Sequence, residues 1–133
     1  MIIGIGSDLI DINRISKTIE RFGDRFTHRL FTESERIKSE RRFHRVESYA
    51  RRFAAKEACS KALGTGFRQG IFWRDLEVIN FASGQPSMSL SGGAERRLFK
   101  ITPINMKPII NLSLTDEPPM AQAIVIISAQ PIN

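Results

Sequence analysis

One cysteine, Cys59, stands in 133 residues, so no disulfide can close within the chain, and a reduced, packed thiol is expected. Only two histidines accompany it, His28 and His44. They do not combine with Cys59 into a zinc pattern or a nucleophilic triad, and both read as surface residues. No apolar run approaches the roughly 20 residues that a membrane span requires. The opening apolar stretch is interrupted too soon, by Asp8 and Asp11, to serve as a signal peptide. No Walker loop is present. Gly4-Ile5-Gly6 begins like a dinucleotide fingerprint, but a third glycine is missing and Asp8 would repel a pyrophosphate. Repeats, low-complexity segments and linkers are lacking as well. These absences leave a single domain spanning residues 1–133, expected in the cytoplasm with no membrane partner. A chain of this size buries roughly two-thirds of its unfolded surface without covalent help.

Positive charge is what the chain has in excess. Lys and Arg number 20 against 14 Asp and Glu, a formal charge of +6, with a pI near 10.1. An anionic partner is implied: nucleic acid, a phosphorylated small molecule or an acidic protein. The last twenty residues hold no Lys or Arg, whereas Arg14 to Arg52 is dense in them, so that partner should meet the N-terminal half. A nucleic-acid partner is disfavoured because the aromatic residues read as core, and stacking platforms require exposed rings. Arg41, Arg42 and Arg45 read as a solvated face.

The stretch Arg51 to Gly66 organises the rest. It is rich in Ala, Lys and Glu and free of Pro, which predicts a helix, from about Val46 to Leu63, stopped by Gly64 and Gly66. At roughly 100° per residue, Phe53, Glu57, Ser60, Lys61 and Gly64 share one side, while Ala54, Ala55, Ala58, Cys59, Ala62 and Leu63 share the other. The small-residue face allows close packing. The polar face is either an ordinary amphipathic surface with a Glu57–Lys61 i,i+4 pair or a site.

Ahead of it, Met1 to Ser7 reads as a short buried strand with Asp8 at its end. Asp11 or Asn13 can cap a helix to Phe22 whose inward stripe is Ile12, Ile15, Ile19 and Phe22. Arg25 to Phe31 is a short helical or irregular link. Thr32-Glu33-Ser34-Glu35 is a capping box that opens a charged helix to about Arg42. Behind the organising helix, Asp75–Phe81 and Ser87–Leu90 form a hairpin around Ala82-Ser83-Gly84-Gln85-Pro86. A helix over 93–101 with Leu98 and Phe99 inward follows, then a loop from Pro103 to Pro108. The strands Ile109–Thr115 and Ala121–Ile127 close the chain, the second apolar on both faces and hence central. The order predicts an α+β fold, with helices on one face of a largely antiparallel sheet.

Asp8 and Glu57, beside several cations, are the one pair of carboxylates suited to chemistry. Two carboxylates next to a phosphate are how proteins commonly hold Mg²⁺, and Lys61, one turn beyond Glu57, could neutralise a phosphate oxygen. Caps and turn bonds also account for many such aspartates.

Gly4-Ile5-Gly6-Ser7-Asp8-Leu9-Ile10-Asp11-Ile12, followed by Arg14-Ile15, resembles the holo-[acyl-carrier-protein] synthases, the short-chain class of the 4′-phosphopantetheinyl transferases. So do Arg52-Phe53-Ala54-Ala55-Lys56-Glu57-Ala58 and Lys61-Ala62-Leu63-Gly64-Thr65-Gly66, and the likeness covers essentially the whole chain. It implies transfer of the phosphopantetheine arm of coenzyme A to a serine of acyl carrier protein, releasing 3′,5′-ADP, in support of fatty acid biosynthesis. It further implies Mg²⁺ on Asp8 and Glu57, with Lys61 on the phosphate as the third catalytic residue. Arg52, Phe53, Ser60, Gly64 and the Gly84-Gln85-Pro86 turn would border coenzyme A, together with Thr115 and Asp116. Either Glu57 or a water on the metal would take the serine proton. The family's small members are trimers with sites at the subunit junctions. Many carry a histidine where this chain has Asp116, which cannot stack on adenine as an imidazole does. The basic side of the first helix, Arg14, Lys17 and Arg21 with Arg25 beyond, is either a solvated face or the dock for an acidic carrier protein.

Overall fold

The computed structural model describes residues 1–132; Asn133, the last residue of the expected domain, lies outside the described residues. The elements in order are β1 (Ile2–Asp11), α1 (Ile12–Phe22), α2 (Asp24–Leu30), α3 (Glu33–Glu40), α4 (Arg45–Ala62), a 3₁₀ turn (Trp73–Asp75), β2 (Leu76–Asn80), β3 (Pro86–Leu90), α5 (Gly92–Ile101), β4 (Met106–Glu117) and β5 (Met120–Pro131). Helices and antiparallel strands are mixed as anticipated, but the strands form two sheets, not one. β1, β5 and β4 make a three-stranded sheet in that order, and β2–β3 is a separate hairpin. β5 is central, as its two apolar faces require.

Packing on α4 sets the core. Ala54, Ala55, Ala58 and Cys59 are fully buried, with Ala62 and Leu63 nearly so, against inward β5 residues Ala121, Ala123, Val125 and Ile127. Burial pushes the Cys59 thiol up to about 12, so it stays protonated and inert. α1 adds Ile12, Ile15 and Ile19 to this core, each larger side chain worth about 1.5–3 kcal/mol when taken from water. Asp11 caps α1 by accepting from the Asn13 amide at 2.9 Å. The Thr32–Glu35 capping box is formed in both directions.

Several expectations need correction. β1 does not stop at Ser7: β5 is twelve residues long and pairs with it down to Asp11↔Met120, so Asp8 lies within the strand, opposite Ala123. Nor is β1 buried throughout, since Ile2 and Ile5 are each 65% exposed. Alternation turns Ile5 and Leu9 outward, on the sheet face that α4 does not cover. Phe22 and Phe99 point to solvent, because each stands at the margin of its helix's apolar stripe. Pro108 lies in β4, paired with Ala129; an edge strand tolerates the missing donor. Phe43, Phe72 and Phe81 are also exposed, contrary to the expectation that the aromatic residues are core, so buried rings do not speak against a nucleic-acid partner.

Candidate active site

Two glycines bring the carboxylates together. A Cβ on Gly6 would stand 1.9 Å from the Ala58 carbonyl oxygen, and one on Gly4 would stand 2.1 Å from that of Ala62. Gly4 and Gly6 on β1 therefore meet Ala58 and Ala62 on α4 backbone to backbone, closer than any side chain permits. Asp8 is two residues beyond Gly6, on the same face of the strand. Glu57 and Lys61 flank the Ala58–Ala62 contact on the helix. The small-residue motifs thus act as the ruler that sets the polar residues beside one another.

Lys61 Nζ donates to the Ser7 carbonyl at 3.0 Å and to Asp8 Oδ1 at 3.2 Å. The Asp8 side chain keeps 17% of its surface in solvent and Lys61 51%. Burial pushes the Glu57 carboxyl above its ordinary range and the Asp8 charge pushes it further, while Lys61 and Arg14 pull it back. Arg14, expected only as a docking residue, therefore stands within electrostatic reach of Glu57. Two repelling carboxylates fit a divalent cation, which relieves both the repulsion and the desolvation. Among the described residues no three ligating side chains converge. Asp8 and Glu57 would hold such an ion with waters and a substrate phosphate completing its shell, the usual arrangement for Mg²⁺.

The remaining expected residues are scattered. Ser60 is buried, not part of the polar face, because its hydroxyl bonds back to the Glu57 carbonyl at 2.7 Å. Phe53 is half-buried in an aromatic row, 5.1 Å from Trp73, which stacks in turn on Phe67 at 3.8 Å. Gly64 is exposed with φ +83°. Arg52 is 5% exposed on the side of α4 away from Glu57. One of its terminal nitrogens donates to Ser48, its Nε has no partner, and burial lowers its pKa.

Gly84-Gln85-Pro86 sits at the tip of the β2–β3 hairpin. Thr115 and Asp116 project to opposite faces of β4. Thr115 is exposed, and Asp116 Oδ2 lies 3.3 Å from Arg51. Asp116 shares its row with Ala121 and Ile10, two strand spacings or about 10 Å from β1. Arg51 was missed in the sequence, although it heads the small-residue stripe Arg51–Ala55–Ala58–Ala62 that faces the sheet. Arg14, Lys17 and Arg21 are exposed along α1. Arg25 borders a cleft of about 570 Å³ that Phe22, Phe26 and Trp73 also line.

Residues 4–119 match the model of the 4′-phosphopantetheinyl transferase superfamily. A holo-[acyl-carrier-protein] synthase of Methylobacterium nodulans is 63% identical over 98% of this chain and 99% of its own. The crystal structure of the synthase from Neisseria meningitidis superposes with a TM-score of 0.85 at 31% identity, covering 96% of this chain and 99% of that one. The Helicobacter pylori enzyme, solved in complex with coenzyme A, gives 0.78 at 29% identity over 93% and 99%. The chain belongs to the 4′-phosphopantetheinyl transferase superfamily and, within it, to the holo-[acyl-carrier-protein] synthases. It is an enzyme of that class. No helix among the described residues is long and apolar enough to cross a membrane.

Proposed function

We propose that this chain, as one transferase domain in the cytoplasm, moves the 4′-phosphopantetheine group of coenzyme A to a serine of apo acyl carrier protein and so supports fatty acid biosynthesis. The observation that carries this reading is the meeting of Asp8 and Lys61 beside a Glu57 carboxyl raised by burial and by Asp8. The serine Oγ forms a bond to the β-phosphorus of coenzyme A. The bond from that phosphorus to the bridging oxygen breaks, and 3′,5′-ADP departs with the electron pair. Asp8 and Glu57 would hold Mg²⁺, which would supply positive charge where negative charge grows on the phosphate oxygens. Lys61, held by the Ser7 carbonyl, adds a fixed ammonium to the same region. Glu57 or a water on the metal takes the serine proton as the new bond forms.

A homotrimer with sites at the subunit junctions suits two features. Ile5, Leu9 and Ile124 leave apolar surface on the uncovered sheet face. Gly84-Gln85-Pro86 and Thr115 would then reach coenzyme A held by a neighbouring copy's Asp8 and Glu57. Arg14, Lys17, Arg21 and Arg25 form the acidic carrier protein's dock. Incubation of apo carrier protein with coenzyme A and Mg²⁺, followed by mass spectrometry, tests the reading. The expected result is a gain of one phosphopantetheine that is lost without the metal. An unchanged carrier protein would overturn it, and mobility shifts on nucleic acid alone would favour a basic binding module instead.

A further inference from the structure

α5 has no part in the site described so far, yet it is fastened to the segment leaving α4. A Cβ on Gly93 would stand 2.0 Å from the Gly70 carbonyl oxygen, and one on Gly92 would stand 2.9 Å from the Asp75 carboxylate. From this anchored helix Arg97 reaches back to the end of α4, where its Nε donates to the Leu63 carbonyl at 2.9 Å. Its Nη2 lies 3.3 Å from the point a Gly64 Cβ would occupy. One of five guanidinium donors is thereby used. Among the described residues no carboxylate lies within ion-pair distance of the rest.

The end of a helix is a poor place for a polyanion, because its last carbonyls carry roughly half a negative charge. Here the last turn of α4 bears Lys61, its closing carbonyl at Leu63 is taken by a cation, and Gly64 leaves the guanidinium uncovered. We propose that Arg97 is a phosphate-binding residue for coenzyme A, joining Lys61 at the end of α4; this rests on the functional reading above. The phosphate is either the pyrophosphate or the 3′-phosphate.

Arg97→Gln is the informative variant, since glutamine Nε2 occupies the same place in its side chain as arginine Nε and keeps the bond to Leu63 while losing the fork and the charge. Titration calorimetry of the full chain with coenzyme A should show Kd about ten-fold weaker in Arg97→Gln, as expected for lost charge-assisted bonds. Its melting temperature and the KM for carrier protein should stay unchanged, and Arg97→Lys should recover part of the affinity. Repeating the titration with dephospho-coenzyme A separates the two phosphates. A loss that persists assigns the pyrophosphate, and a loss that vanishes assigns the 3′-phosphate. Equal coenzyme A affinity in wild type and Arg97→Gln would overturn the inference. Failure of the wild-type chain to bind coenzyme A at all would overturn the functional reading and this inference with it.

Discussion

Two lysines five residues apart on α4 meet carboxylates in opposite ways. Lys56 has no exposed surface and donates to Glu35 at 2.7 Å, to the Trp73 carbonyl at 3.2 Å and to the Leu76 carbonyl. Glu35 in turn accepts from the amides of Thr32 at 2.9 Å and Val78 at 3.0 Å. Burial pushes the Lys56 pKa down while Glu35 pulls it up, and each charge is enclosed by partners that join α3, α4 and β2. Lys61 is half in solvent, with one carboxylate and one carbonyl. Glu57 beside it has no hydrogen-bond or ion-pair partner for its carboxylate among the described residues. A saturated buried pair can only hold structure, whereas an unsaturated one at the surface retains capacity for a ligand.

The largest expected effect comes from breaking the saturated pair. Lys56→Met leaves Glu35 charged in a dry site and should cost about 3–5 kcal/mol, read from urea unfolding. Lys61→Met should cost under about 1 kcal/mol, because an exposed pair is worth little. Equal losses would show that the two pairs do not differ as argued. Activity should reverse the ranking: Asp8→Ala and Glu57→Ala should each lower kcat/KM by about 10²–10³-fold while the unfolding midpoint stays near wild type. Near-full activity of either variant at low Mg²⁺ would remove the metal assignment.

Gly6→Ala tests what sets the open pair. Its methyl must displace the Ala58 carbonyl, an overpacking that should cost about 1–3 kcal/mol. It should also part Lys61 from Asp8 while leaving Lys56 and Glu35, on the other side of α4, in place. The expected signature is a loss of transfer larger than the loss of stability implies. A variant stable and fully active would show that the close approach is not what positions the site.

The contrast between the lysines also explains what the sequence disclosed. The Glu57–Lys61 stretch stood out because helical spacing puts its carboxylate and ammonium on one side and small residues on the other, whereas Gly4–Asp8 stood out through its resemblance to the family. Local signals found the Thr32–Glu35 box, the Asp11 cap and the central place of β5. Lys56 was not legible, because a lysine on a helix reads as solvated until Glu35, 21 residues away in the chain, comes to meet it. The burial of Ser60 was hidden for a related reason: angular position says where a hydroxyl points, not that it already donates to the Glu57 carbonyl. Phe22 and Phe99 show the limit of a periodic stripe, whose margins turn outward. Arg97 and Arg51 gained meaning only when the chain folded α5 onto the end of α4 and β4 beside its first half.

The smallest effect concerns the basic side of α1. Arg21 is exposed and its guanidinium lies 5.0 Å from the Phe22 ring, remote in sequence from the carboxylates. Arg14 is exposed as well, yet its charge reaches Glu57. The two arginines should therefore behave differently, although the sequence offers them as equivalents. An exposed charge contributes under about 1 kcal/mol to a partner, so reversing it should change binding by about five- to ten-fold. Arg21→Glu should raise the KM for carrier protein by that factor and leave the KM for coenzyme A unchanged. Arg14→Glu should raise the first and disturb kcat too, because a new carboxylate beside Glu57 drives that group's pKa further upward. Raising the salt above physiological strength, where screening already sets in beyond about 8 Å, should reproduce the Arg21→Glu effect and leave the kcat effect of Arg14→Glu largely intact. Should Arg21→Glu weaken coenzyme A and spare the carrier protein, the basic side of α1 would belong to the nucleotide, and the dock would have to lie elsewhere.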